Sequence, residues 1–176
     1  MELIDVLDEK GNKTGKSKPK LEIHRDGDWH RAVHVWVVNS KGEILLQRRG
    51  ANLVNYPDMW DISAAGHVSA GEDDITSALR EAKEELGIDL SPDKLEKIGE
   101  TKIQAVLNNG TYIDHEYDII YLVRADFSID QLKMQASEVK GLRYLSISEL
   151  KKLISEQGNI VPHVEEYKLL FKALEN

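Results

Sequence analysis

The sequence predicts an α/β (α+β) sandwich, a mixed β-sheet held between helices. Three observations carry that expectation. Short runs rich in Val, Ile and Leu recur between turn signals, two of those runs flank the hairpin signature Asn108-Asn109-Gly110, and three segments space their apolar residues at helical period.

Taken in order, residues 2–8 alternate as a strand does, and Glu9-Lys10-Gly11-Asn12 supplies a turn. The basic stretch 13–20 reads either as a solvated face or as a rim that attracts phosphate. Residues 32–39, rich in Val and containing Trp36, and residues 43–48 are strands joined by Ser40-Lys41-Gly42. A short strand is expected over 60–65. Residues 73–86 place Ile75, Ala78, Leu79, Ala82 and Leu86 on one helix face, and Gly87 follows as a stop. Residues 94–107 and 112–125 form the two arms of the Asn-Asn-Gly hairpin, and 139–145 is the last strand. Helices are expected over 148–156 and 161–174, the latter with Val164, Tyr167, Leu170, Phe171 and Leu174 on one side.

The 176 residues suit a single domain, 1–176, in which 1–30 is an N-terminal hairpin and leader. With 41% hydrophobic and 31% charged residues the chain is globular rather than disordered. No apolar run approaches the roughly 20 residues of a membrane helix. The acidic start, Met-Glu-Leu-Ile-Asp, does not resemble a secretory signal, so the expected location is cytoplasmic. The absence of cysteine excludes disulfides, thiolate metal sites and a thiol nucleophile. A net charge of -8 argues against nucleic-acid polymers as partners. It remains compatible with a small phosphorylated substrate whose charge is neutralised by a metal ion held on carboxylates.

The chemistry concentrates in Gly66-His67-Val68-Ser69-Ala70-Gly71-Glu72 and the following Arg80-Glu81-Ala82-Lys83-Glu84-Glu85-Leu86-Gly87-Ile88. Glu81, Glu84 and Glu85 lie at i, i+3 and i+4, so three carboxylates share one helix face and repel one another. A hard divalent cation would convert that repulsion into coordination. A solvated acidic face has the same local pattern, and with the apolar stripe opposite, the acidic edge is expected to point away from the core. Arg80 and Glu72 are spaced to form an ion pair that pins the loop to the helix. Gly66 and Gly71 give the loop unusual backbone angles and close approach.

The wider spacing separates the two readings. Gly, five residues, Glu, seven residues, Arg-Glu-apolar-x-Glu-Glu-x-Gly-apolar is met at every position, and a chance match is on the order of one in a million. This resembles the Nudix box, here residues 66–88. The resemblance implies an α/β/α sandwich, Mg²⁺ or Mn²⁺, and hydrolysis of a diphosphate joined to another group. Carried over by position, Glu84 and Glu85 are the main metal ligands, with Glu81 as a further ligand or the base and a main-chain carbonyl of Ala65 or Gly66 beside them. Glu81, Arg80 and Glu72 then belong to the catalytic machinery.

A second resemblance spans about residues 24–88. His24-Arg25-Asp26-Gly27-Asp28-Trp29-His30-Arg31-Ala32, Leu45-Leu46-Gln47-Arg48-Arg49, Tyr56-Pro57-Asp58-Met59-Trp60-Asp61 and Ala65-Gly66-His67 are similar to the isopentenyl-diphosphate isomerase-like branch. It implies a second metal site from His24, His30, His67, Asp114 and Glu116, with Glu116 also catalytic. The branch's cysteine is missing, and Ser63-Ala64-Ala65 stands in its neighbourhood, which favours hydrolysis over isomerisation. Arg48 and Arg49 are candidates for a terminal phosphate and Trp60 for stacking on a base. His34 and His163 read as structural or surface residues, and Trp29 and Trp36 as packing. The expected activity is Mg²⁺-dependent hydrolysis of a nucleoside diphosphate derivative or related small diphosphate. The alternatives are an isoprenoid-diphosphate enzyme and a non-catalytic phosphate-ligand sensor. A homodimer is a family-level expectation.

Overall fold

The computed structural model describes residues 2–175. Its centre is a seven-stranded mixed sheet built from β3 (His30–Val38), β4 (Glu43–Arg49), β5 (Trp60–Asp61), β6 (Ala64–His67), β7 (Glu96–Leu107), β8 (Tyr112–Arg124) and β9 (Val139–Ser146). The path β5-β4-β3-β8-β7 is extended by β6 on β3 and β9 on β4. Among the described strands only β3 and β8 pair in parallel. Ahead of the sheet, β1 (Leu3–Leu7) and β2 (Lys13–Pro19) form a separate antiparallel hairpin, followed by α1 (Lys20–Asp26).

Strand alternation sorts β3 between two cores. Val33, Val35 and Val37 pack with Ala64, Ala78 and Leu86 beneath α2 (Asp74–Leu86). Trp36 and Val38 turn to the opposite face and meet Leu150, Tyr167 and Leu170 of α3 (Ile147–Ser155) and α4 (Val164–Leu174). Helices on both faces make the expected α/β/α sandwich. Among the described residues no helix is long and apolar enough to cross a membrane.

The sheet forks, and the fork creates the cavity. β4 pairs with β3 only at Val37–Leu45 and Val38–Ile44. Beyond that point β4 diverges and β6 takes its place along Ala32–Val35. Buried Ser63 sits in the crotch: its Oγ accepts from the Val37 N–H at 2.9 Å and donates to the Leu45 carbonyl at 2.6 Å. Both backbone groups are thereby satisfied where the ladder opens. The segment expected as one strand over 60–65 is for this reason two, β5 on β4 and β6 on β3.

The N-terminal hairpin expected within 1–30 is present, and two details refine it. The basic stretch 13–20 is exposed, as a solvated face is, and is mostly a strand, with Lys13 paired to Asp5 and Lys18 to Asp26 and Asp28. Its alternation is invisible to hydropathy because the strand is largely exposed and polar on both sides. α1 was not foreseen at all; it is short and ends at Gly27, whose φ of 71° is left-handed. Elsewhere the local signals hold. Asp73 caps α2 by accepting from Thr76 N–H, Gly87 ends it at φ 69°, and Ser146 with Glu149 forms a capping box on α3.

Candidate active site

A cavity of about 360 Å³ opens in the fork. On one wall stands α2. Glu81 and Glu85 are only 7% and 4% exposed, contrary to the expectation that the acidic edge faces solvent. They face β6 because Gly66 leaves room: a Cβ on Gly66 would lie 2.1 Å from the Glu81 Cδ. Glu85 accepts from the Ala65 N–H at 3.0 Å and from Gln47 Nε2 at 2.8 Å. Glu84 sits at the mouth with its side chain 49% exposed.

Arg80 ties this wall together. It donates to Glu81 at 2.7 Å, to Glu72 at 3.2 Å, to the His67 carbonyl at 3.0 Å and to Ser69 Oγ at 3.1 Å. Glu72 also accepts from Ser77 Oγ and does not line the cavity, so the foreseen ion pair exists and Glu72 acts through Arg80. Burial pushes the Glu81 carboxyl up to about 7 and Glu85 up to about 8, the latter helped by the neighbouring Glu81 charge. Two desolvated carboxylates with an exposed third at the rim form a hard-oxygen donor set. With the main chain of Ala65 and Gly66 alongside, these residues fit Mg²⁺ or Mn²⁺.

Across the cavity lies a second constellation. His24 Nε2 is 3.2 Å from His67 Nε2, and Glu116 Oε1 is 3.0 Å from His30 Nε2 and 3.3 Å from His67 Nε2. The candidate ligand atoms of these four residues lie within 4.8 Å of one another. His24 Nδ1 is turned to the Ile113 carbonyl and His30 Nδ1 to that of Asp28, which leaves each Nε2 for the centre, the orientation expected of metal-binding imidazoles. Burial, then the neighbouring His30 and His67, brings His24 down to about 3. Burial opposes the Glu116 charge, yet its hydrogen bonds to His30 and His67 hold it well below the usual range. Asp114, the fifth residue of the expected set, does not join this group: it lies 3.4 Å from His24 Nδ1, on the side of the ring turned away from the centre, with its Oδ1 buried and without a hydrogen bond among the described residues. Burial and the Glu116 charge push it up to about 8.

The candidates of β4 part company. Gln47 and Arg49 face the cavity, whereas Arg48 does not line it; Arg48 pairs in register with Trp60 and donates to the Asp58 carbonyl. Trp60 is likewise absent from the lining and is covered by the Arg143 guanidinium, 4.1 Å from its ring. Neither reaches the cavity, since alternation along β4 sends position 48 to the α3/α4 side. The residues not foreseen are Gln47, Tyr112, His34, Asp61, Asp118 and His163, all in the lining. His34 Nδ1 meets Glu166 at 2.8 Å, and His163 Nε2 meets Asp61 at 2.7 Å. The period-two series His30, Ala32, His34 and Asp114, Glu116, Asp118 was the available signal.

A carboxylate-bearing helix over a glycine at the fork of a mixed sheet, with helices on both faces, defines an α/β/α protein of the Nudix type. The family model of the NUDIX domain matches residues 28–164. The chain is 42% identical over 159 residues to Nudix hydrolase 3 of Arabidopsis thaliana, covering 89% of this chain and 21% of the plant protein, so it spans about a fifth of that relative. It is 31% identical over 175 residues to isopentenyl-diphosphate Delta-isomerase 2 of Photorhabdus laumondii, covering 99% of this chain and 91% of that one. A solved Deinococcus radiodurans structure superposes with a TM-score of 0.75 at 20% identity, covering 95% and 98% of the two chains, and supports the fold alone. The chain belongs to the NUDIX family, in its isopentenyl-diphosphate isomerase-like branch, and is an enzyme of the Nudix hydrolase class.

Proposed function

We propose that the chain hydrolyses a small diphosphate, with Mg²⁺ or Mn²⁺, by attack of water at phosphorus. The observation that carries this reading is the packing of Glu81 and Glu85 against Gly66 and Ala65 inside the cavity, where buried carboxylates lack enough cationic partners of their own. A divalent ion held there would neutralise charge on the substrate and acidify water. Arg80 fixes Glu81 through Oε1 and leaves Oε2 to take a proton from the attacking water. Arg49, held by Asp61 at 2.8 Å, offers a cation to the phosphate end of the substrate. Gln47 and the Ala65 N–H hold Glu85 in place. Phosphate release from a panel of diphosphates with Mg²⁺ and Mn²⁺ tests the reading. Wild type should be active and Glu85→Gln inactive; equal rates in the two proteins reject it.

The convergence of His24, His30, His67 and Glu116 favours isoprenoid-diphosphate chemistry as a second reading. Isomerisation needs a proton donor at one face of the alkene, and the chain holds no thiol. Deuterium incorporation into isopentenyl diphosphate in heavy water separates the two readings: hydrolysis without exchange is expected.

A further inference from the structure

A third constellation shares no residue with the two described above. His34 comes from β3, His163 from the position that caps α4 and Glu166 from the first turn of that helix. One candidate donor atom of each lies within 4.8 Å of the others. Glu166 Oε2 is 2.8 Å from His34 Nδ1 and 3.7 Å from His163 Nδ1. The first separation is a hydrogen bond. The second is too long to be one, and His163 Nδ1 makes no hydrogen bond among the described residues. The two lengths bracket the roughly 3.3 Å between neighbouring donors that tetrahedral bonds of about 2.0–2.1 Å require. The surroundings hold these atoms in place. Asp61 Oδ1 is 2.7 Å from His163 Nε2, which leaves Nδ1 on the Glu166 side, and Trp36 Nε1 donates to Glu166 Oε1 at 2.7 Å, which leaves Oε2 for the centre. Asp61 is itself held by Arg49 and the Ile62 N–H. A carboxylate behind a ligating imidazole fixes the ring's tautomer and raises its basicity. His34 and His163 line the cavity, and the His163 side chain is 18% exposed, so an ion has an entry path.

We propose that His34, His163 and Glu166 form a binding site for Zn²⁺ or a similar imidazole-preferring divalent ion, separate from the hard-oxygen set on α2. Two imidazoles and one carboxylate are a zinc donor set, whereas Mg²⁺ selects oxygen. Desolvation opposes charge on the two imidazoles, yet Glu166 raises His34 and Asp61 raises His163, so protons balance the carboxylates in the metal-free chain. One divalent ion replacing two protons leaves the net charge of the cluster unchanged. The bound ion ties α4 to β3 beside the cavity, and the site does not depend on the hydrolase reading.

Zinc binding to the full chain tests this. Protein freed of metal by chelation and dialysis is titrated with Zn²⁺ by calorimetry at pH 7, with Mg²⁺ in excess, for wild type, His163→Gln and Asp61→Asn. Wild type should hold one more equivalent of zinc than His163→Gln. Asp61→Asn, which removes no donor atom, should weaken that equivalent about 10- to 100-fold. The same stoichiometry and affinity in wild type and His163→Gln overturns the site. If His163→Gln fails to melt cooperatively, wild-type crystals grown with Zn²⁺ decide by anomalous diffraction at the zinc edge. A peak between the three side chains supports the site, and no peak there overturns it.

Discussion

Two pairs of buried carboxylates, three of whose members line the cavity while Glu166 stands behind the lining residue His34, are compensated in opposite ways. Asp61 and Glu166 are enclosed by cations and donors of the chain itself: Arg49, His163 and the Ile62 N–H for the first, His34 and Trp36 for the second. Both are held below the usual carboxylate range in spite of burial, chiefly by the charges of His163 and His34 respectively. Glu85 has only the uncharged donors of Ala65 and Gln47, and Glu81 shares its single Arg80 with Glu72 and Glu84. Both are pushed up. Burial alone therefore does not separate the two pairs; how much counter-charge the chain itself supplies does.

The sharpest way to break this contrast is to neutralise one member of each pair. Glu85→Gln should lower hydrolysis by at least about 100-fold, the upper range for loss of a metal site's supporting partners. Its melting temperature should not fall, because a poorly compensated charge has been removed. Gly66→Ala should cost activity by about 100-fold as well, by displacing Glu81. Glu166→Gln should do the reverse, destabilising the fold by about 3 kcal/mol because His34 is left without its counter-ion. Denaturant melts and steady-state rates on the three variants check all of this, and a Glu85→Gln protein less stable than Glu166→Gln would abolish the distinction.

Stability against pH sharpens it further. Glu166 and Asp118 charges raise His34 to about 10 against the desolvation that opposes them. Its folded value exceeds the ordinary 6.5, so its contribution is complete below pH 6.5 and fades as pH rises towards 10. Asp61 is shifted down, so its contribution is present above 3.8 and fades as pH falls below that value. Thermal melts across pH 3–10 should show both declines, and His34→Gln should flatten the alkaline one; an unchanged alkaline slope assigns it elsewhere. The smallest contrast is between neighbours. Arg49→Ala should raise KM for a diphosphate about tenfold, whereas Arg48→Ala should change it less than about twofold, consistent with a partly exposed pair remote from the cavity.

How much of this could be read from the chain depended on the range of the interaction. α2 was legible because its stripe, its Asp73 cap and its Gly87 stop are local, and the Asn108-Asn109-Gly110 hairpin because three successive left-handed residues need those side chains. The burial of Glu81 and Glu85 was not, since it depends on β6 presenting Gly66 to the helix. The gathering of His24, His30, His67 and Glu116 came from family resemblance; alternation alone gives their faces but not the docking of α1. His34 and Glu166 lie 132 residues apart and meet only once α4 packs on the sheet. Arg48 and Arg49 were indistinguishable until the pairing of β4 with β5 and β9 set the phase of the strand.

Ser63 gives the forked sheet a keystone. Because one hydroxyl caps the last rung of β3 and the carbonyl it faces on β4, the opening angle between the strands is written into the ladder itself and not into a loop. Replacing that hydroxyl with a methyl group would strand two main-chain groups at the vertex and invite the gap to zip shut.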